Sequence, residues 1–342
     1  MKPYRPTPTL HDVAARANVS TATVSRCINL PDQVSEHTRE KVMTAIRDLG
    51  YSPNFGARAM AARRTNTIGA IIPTMENAIF ARGLQAFQEE LREHGFTMLV
   101  ASSSYQPELE EEQIRSLVAR GADALLLIGH ERDPEIYRFL DAQQVPILVA
   151  WAFNPEISRA SVGFDNRSAM RDLAKEVLAR GHRKLALISA HTFMNDRAGG
   201  RLEGIKDAMR DAGLDPEALK VIETPYGIET GAVAFEALMQ MADRPTAVFC
   251  GNDVLAVGAL RRAREMGIRV PEDVSITGFD DIELAQIVYP ALTTVHVPHR
   301  EMGRRAARAL VDMVHGATTG SVDLGAQVCL RSSLGDVPKG RQ

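Results

Sequence analysis

The stretch Val19-Ser20-Thr21-Ala22-Thr23-Val24-Ser25-Arg26-Cys27-Ile28-Asn29 restricts the fold more than any other part of the chain. Val24 and Ile28 lie four residues apart, so they anchor one narrow face of a helix. Ser20 supplies the side-chain oxygen of an N-cap. Thr21, Ala22, Thr23, Ser25, Arg26 and Asn29 form the opposite face, and all but the arginine are short enough for close approach to another surface. An arginine fork matches O6 and N7 of guanine in the major groove, while hydroxyl and amide groups bond phosphate oxygens. Upstream, Thr9-Leu10-His11-Asp12 has the form of a capped helix start, with Asp12 at the N3 position of a capping box. Leu10, Val13, Ala14 and Ala17 share one face, and Asn18 suits a left-handed ending. Two short helices around a tight turn predict a helix-turn-helix whose second helix enters the major groove; the alternative is a helical hairpin with no nucleic-acid role.

Charge divides the chain in the same place. Ten Lys/Arg against five Asp/Glu give residues 1–67 a balance of +5, whereas the remainder carries −8. A basic segment on an acidic body fits nucleic-acid binding by the first part only. A chain of 342 residues, 45% hydrophobic, has ample core for two or three domains. No apolar run approaches a membrane span, and Met1-Lys2-Pro3-Tyr4-Arg5-Pro6 lacks an apolar signal region, so no membrane association or secretion is expected. Cys27, Cys250 and Cys329 are scattered and read as reduced thiols with no metal spacing.

After the second helix comes a loop, 30–34, then a third helix capped by Ser35 and ending near Leu49, with Gly50 as its C′ residue and Val42, Ile46 and Leu49 as its core face. Residues 55–64 have helix-forming composition, but so short a helix is marginal alone, and Gly56 weakens it by roughly 1 kcal/mol. This linker is expected to be helical only when something stabilises it; the alternative is a flexible basic tether. From Thr67 onward, apolar runs at 68–72, 96–100, 124–128 and 145–149 alternate with helical stretches at about 80–94, 107–120 and 134–143. A second series places strands at 184–188, 221–223, 247–250 and 274–277, with helices at about 166–180, 197–212, 228–241 and 252–266. Continuous apolar strands between helices predict parallel sheets covered on both faces, hence two open α/β units with a ligand crevice at the carboxyl ends of the strands.

The segment from Leu10 to Asn29, with Tyr51-Ser52-Pro53-Asn54, Ala247-Val248-Phe249-Cys250-Gly251-Asn252-Asp253 and Pro290-Ala291-Leu292-Thr293-Thr294-Val295, resembles the LacI/GalR family, the group of the lac and purine repressors. The resemblance runs in order from about Thr9 to about Arg331. It implies an α/β protein: an all-α helix-turn-helix domain at 1–53, a hinge helix or linker at 54–66, and a periplasmic-binding-protein-like core of two doubly wound α/β lobes at 67–342. Lobe 1 is expected at about 67–165 and 298–325, lobe 2 at about 166–297 and 326–342, with the chain crossing between them three times. It further implies a cytoplasmic homodimer that binds palindromic double-stranded operator DNA and a small-molecule effector, acting as a repressor more often than as an activator.

Carried over residue by residue, the resemblance assigns DNA contacts to Thr9, Thr21, Ala22, Thr23, Ser25, Arg26, Asn29, Ala57 and Met60, with Met60 in place of the family's minor-groove leucine. It assigns effector contacts to Phe80, Trp151, Arg197, Arg201, Tyr226, Asn252 and Asp280, the last as acceptor of ligand hydroxyls. Trp151 stands where the purine repressor has an acidic residue, which favours a sugar or sugar acid over a purine. If Arg197 faces the cleft as well as Arg201, excess positive charge favours a carboxylated ligand. N-capping is expected to explain Asp253 better than Asn252, and Asp281 is expected to be solvated. An enzyme is excluded as a reading by the lack of HExxH, GxSxG, P-loop or paired-cysteine motifs, and no cofactor or metal is expected. A secreted solute-binding protein would share the core but not residues 9–29. Arg26→Ala is expected to weaken operator binding by roughly 1–3 kcal/mol and to change affinity for random DNA much less. Equal losses on both DNAs in a gel-shift titration would reduce Arg26 to a phosphate contact.

Overall fold

The computed structural model describes residues 7–52, 64–76 and 78–338, and the chain divides into two compact units, Met1–Thr65 and Asn66–Gln342. The first unit contains α1 (Leu10–Ala17), α2 (Thr21–Asn29) and α3 (Glu36–Leu49). The capping box of α1 is formed: Thr9 N donates to Asp12 Oδ2 at 2.8 Å and Asp12 N donates to Thr9 Oγ1 at 3.3 Å. Asn18 turns the chain at φ 55°, and Ser20 caps α2 by accepting from Thr23 N. The core is Val13, Ala14, Ala17, Val24, Cys27, Val42 and Ala45, with Leu10, Ile28, Ile46 and Leu49 only partly buried around it. Cys27 and Ala45 thus take the central places expected of Ile28, Ile46 and Leu49. The innermost positions of such short helices admit small side chains, and the larger ones cover the rim. The 30–34 loop contains a 3₁₀ turn at Pro31–Gln33. The expected hinge helix, with Ala57 and Met60, lies outside the described residues.

In the second unit the first lobe holds β1 (Thr67–Ile72), α4 (Ala78–Glu93), β2 (Thr97–Ser102), α5 (Pro107–Ala119), β3 (Ala124–Ile128), α6 (Pro134–Ala142), β4 (Ile147–Ala150) and β5 (Ser161–Gly163). The second lobe holds α7 (Asn166–Ala179), β6 (Leu185–Ser189), α8 (Asp196–Asp211), β7 (Lys220–Glu223), α9 (Ile228–Gln240), β8 (Ala247–Cys250), α10 (Asp253–Glu265), β9 (Ser275–Thr277) and the short α11 (Leu284–Ile287). The chain continues through β10 (Thr294–His296), α12 (His299–Val314), β11 (Val322–Asp323) and β12 (Gln327–Cys329). The sheets run β11-β5-β4-β3-β1-β2 and β7-β6-β8-β9, parallel throughout, and β10 pairs antiparallel with β12.

β1, β3 and β4 are buried along their length, as continuous apolar runs require, but β2 is not: it is the sheet edge and alternates exposed with half-buried positions. The short strands β5, β10, β11 and β12 escaped the sequence reading, because two or three residues carry no period. They flank the three passages between sheets: the chain leaves the first sheet after β5, returns between β10 and α12, and leaves again between β11 and β12. α12 packs on α4 and so belongs to the first lobe.

Three intimate helix pairs, α4–α12, α7–α8 and α9–α10, each meet at a glycine. A methyl group on Gly303 would run into the Gly83 carbonyl oxygen, one on Gly204 into that of Arg167, and one on Gly258 into that of Ile228. Backbone obstacles of this kind do not swing aside as a flexible side-chain tip would. Gly303→Ala is therefore expected to destabilise the unit by about 1–3 kcal/mol. Thermal unfolding checks this; an unchanged midpoint would mean that the crossing has slack.

Candidate functional site

Every group that meets in the cleft comes from just beyond the carboxyl end of a strand, where open α/β sheets bind ligands. Phe80 follows β1, Trp151 follows β4 and Asn166 follows β5; Arg197 and Arg201 follow β6, Tyr226 follows β7, Asn252 follows β8 and Asp280 follows β9. These residues line one cavity, together with Ile79, Tyr105, Phe164 and Asn195. It adjoins a larger mouth, also lined by Tyr105, Asn195 and Tyr226 and flanked by Met75 and Phe193. All seven effector residues named from the sequence thus share one cavity. Asn166, Asn195 and Tyr105 were missed, although the strand-end rule points to each of them. Ser104 and Tyr105 are both left-handed, at φ 50° and 59°, which no local sequence pattern announced.

The aromatic wall is Phe80 and Trp151, with centroids 5.4 Å apart. The indole lies against Gly83 of α4, where a Cβ would collide with the ring. Arg201 is buried above the Phe279 ring, donating from Nη1 to Asn166 Oδ1 at 2.8 Å and from Nη2 to Tyr226 Oη at 2.7 Å. Its Nε and the Asn252 Nδ2 are buried donors with no partner among the described residues. Asp280 is 4% exposed, and burial pushes its carboxyl well above the usual carboxylate range, a rise that nearby Arg201 only partly offsets. Arg197 also borders the cavity, but it spans the lobes: Nη1 donates to the Ile128 carbonyl at 2.9 Å and pairs with Asp196 at 3.0 Å. Asp196 in turn accepts from His130 N at 2.6 Å. The positive charge that Arg197 would bring to the cleft is therefore balanced by Asp196.

Two expectations are reversed. Asn252, not Asp253, is the N-cap of α10, accepting from Leu255 N at 2.9 Å. Asp253 is fully buried and accepts from Ile282 N at 2.8 Å and Thr294 Oγ1 at 2.6 Å. Asp281 is not solvated: its carboxylate takes Arg331 Nη2 at 2.6 Å and pairs with His296 Nδ1 at 3.0 Å. In both cases the deciding partner is remote in sequence.

In the first unit, Thr21, Ala22, Arg26 and Asn29 are exposed on α2, while Thr23 and Ser25 are half-buried. Thr23 Oγ1 bonds Ser20 Oγ at 2.9 Å, and Asn29 donates to Ser25 Oγ at 3.2 Å, so part of this face is pre-oriented. Thr9 is exposed at the start of α1, with its hydroxyl on Asp12. Among the described residues no group of His, Cys, Asp and Glu could hold a metal, and no helix is long and apolar enough to cross a membrane.

A helix-turn-helix with a polar recognition face, in one chain with a two-lobed ligand cleft, defines a DNA-binding transcriptional regulator rather than an enzyme. Residues 9–54 match the model of bacterial regulatory proteins, lacI family, and residues 174–334 match that of a periplasmic binding protein-like domain. The HTH-type transcriptional repressor PurR of Vibrio atlanticus (strain LGP32) is 35% identical over 309 residues, covering 90% of this chain and 92% of that protein. The repressor CytR of Escherichia coli (strain K12) is 34% identical over 313 residues, covering 92% of each. The crystal structure of the lac repressor dimer bound to operator and the anti-inducer ONPF matches with a TM-score of 0.85 at 26% identity, covering 96% of this chain and 100% of that one. The chain belongs to the lacI family of bacterial regulatory proteins.

Burial pushes the Asp253 carboxyl up to about 7. A carboxyl with a raised folded pKa is protonated more readily in the folded than in the unfolded chain. Its contribution thus falls as pH rises from about 4 to about 7, and it cushions the fold against acid over that window. His299 acts the other way: burial lowers it to about 4, so stability is lost as pH falls from the ordinary histidine range towards that value. Asp253→Asn removes the cushion, and because its amide offers one acceptor oxygen in place of two it also weakens one of the bonds to Ile282 N and Thr294 Oγ1 at every pH. The variant is expected to lose stability on acidification more steeply than the wild type, by at most about 1.4 kcal/mol per pH unit. Parallel thermal midpoints against pH for the two proteins would show that Asp253 is ionised in the fold.

Proposed function

We propose that this chain is a cytoplasmic, homodimeric repressor of palindromic operators whose DNA affinity is set by a small hydroxylated effector, a sugar or sugar acid, held between the core lobes. Residues 1–53 act as the DNA-binding domain, 54–66 as the hinge and 67–342 as the effector core. DNA contacts fall to Thr9, Thr21, Ala22, Thr23, Ser25, Arg26 and Asn29, and in the hinge to Ala57 and Met60.

One observation carries the effector reading. Arg201, Asn252 and Asp280, all buried, line a cavity walled by Phe80, Trp151 and Tyr226, and Arg201 Nε and Asn252 Nδ2 have no partner among the described residues. Buried donors and acceptors need partners, and a ring bearing hydroxyls supplies both kinds while its C–H face lies on the aromatics. With Arg197 neutralised by Asp196, a neutral sugar is favoured over a sugar acid. Calorimetry with D-ribose, D-galactose, D-gluconate, D-galacturonate and hypoxanthine tests the class. Asp280→Ala is expected to weaken binding of the tightest sugar by roughly five- to a hundred-fold, with effector-free operator affinity nearly intact. Tight binding of hypoxanthine alone, unaffected by this substitution, would sink the sugar reading.

A further inference from the structure

The aromatic wall and the ligand-facing carboxylate come from different lobes, and one side chain joins them. His299 opens α12 immediately after the chain returns to the first lobe, and it is 4% exposed. Its Nδ1 faces Trp151 Nε1 at 3.2 Å, and its Nε2 faces the Asp280 carbonyl oxygen at 3.3 Å. An indole N–H can only donate and a carbonyl oxygen can only accept. The pair therefore selects one neutral tautomer, with the proton on Nε2. The imidazole lies within 29° of the indole plane, with centroids 6.3 Å apart. Both partners have backbones that ordinary side chains rarely adopt: Trp151 at φ 61° and Asp280 at φ 107°. Such conformations persist when their surroundings hold them.

We propose that His299 is a positioning residue of the effector site: it aims the Trp151 indole and fixes that wall against the Asp280 loop of the other lobe. This rests on the effector reading above. The link stands beside the passage at Val297 and Pro298, and Arg197 and Asp196 make a separate tie across the lobes to Ile128 and His130 at the end of β3. A tie beside the passage holds the two walls in register. The remaining charged groups near the imidazole are Arg82, His296 and Asp281. His296 and Asp281 pair with each other, and Arg82 pairs with Glu283, so none of them replaces the two hydrogen bonds.

The chain has a single tryptophan, so one indole N–H signal in a ¹⁵N-resolved spectrum of the full-length protein reports the first bond. The Asp281 amide, joined to the Asp280 carbonyl, reports the second. His299→Phe keeps a ring of similar size but neither bond, and both signals are expected to move. Affinity for the tightest sugar of the calorimetric panel is expected to fall by about five-fold or more. His299→Asn keeps an oxygen near the Nδ1 position; it is expected to restore the indole signal and part of the affinity while leaving the Asp281 amide shifted. An unmoved indole signal in His299→Phe overturns the proposal even if affinity falls, because the loss would then come from packing alone. Unchanged affinity with both signals moved also overturns it. If His299→Phe does not fold, the Asn variant decides by the same two signals. If the wild type binds no sugar of the panel, the effector reading fails, while the two signals still decide whether His299 ties Trp151 to the Asp280 loop.

Discussion

A single buried carboxylate, that of Asp253, organises the ligand end of the second lobe. It receives the amide of Ile282 and the hydroxyl of Thr294, and so ties the β8–α10 turn to the loop that presents Asp280 and to β10, which takes the chain back to the first lobe. Burial of an ionisable group is expensive unless it is hydrogen-bonded or neutralised, and Asp253 meets both conditions in part. Three acids close in space divide the work. Asp253 braces the turn, Asp280 faces the cavity, and Asp281 joins Arg331 and His296 where β10 and β12 run side by side. Asp280 and Asp281 are adjacent yet point to different tasks, because the backbone is left-handed at both, at φ 107° and 54°.

What was legible in the sequence was what is local. Thr9, Asp12, Asn18 and Ser20 announce two helix starts and the turn between them through contacts three residues apart. The buried parallel strands show as apolar runs, and the strand-end rule, with the family resemblance, named seven residues that border one cavity. Illegible parts depend on distant partners. Asp253 reads as the better cap of the two; only Thr294, 41 residues away, shows why the aspartate is the one withdrawn. Asp281 reads as a loop acid until Arg331, 50 residues on, reaches it. His299 reads as the first residue of an amphipathic helix, and its bond to Trp151 spans 148 residues. Size also limits what can be read: Cys27 and Ala45 take the centre of the small helical core, because close helix approach selects for small side chains over greasy ones.

The cleft is lined by side chains that the protein itself already holds in place. Arg201 spends two donors on Asn166 and Tyr226, so its guanidinium is oriented without a ligand's help. Preorganisation of this kind lowers the ordering entropy lost on binding. It also means that Asn166 and Tyr226 fix the pose of the arginine.

The glycine-seated helix pairs bear on mechanics. Where backbone meets backbone at Gly303, Gly204 and Gly258, neighbouring helices cannot slide without atoms overlapping. Each lobe is therefore stiff, and the compliance of the core is concentrated in the three thin passages after β5, after β10 and after β11. A body built this way transmits a small displacement at the cleft as a rotation of whole lobes rather than dissipating it as local repacking. Substitutions at the strand ends can then alter which molecule is sensed while leaving the lever itself unchanged.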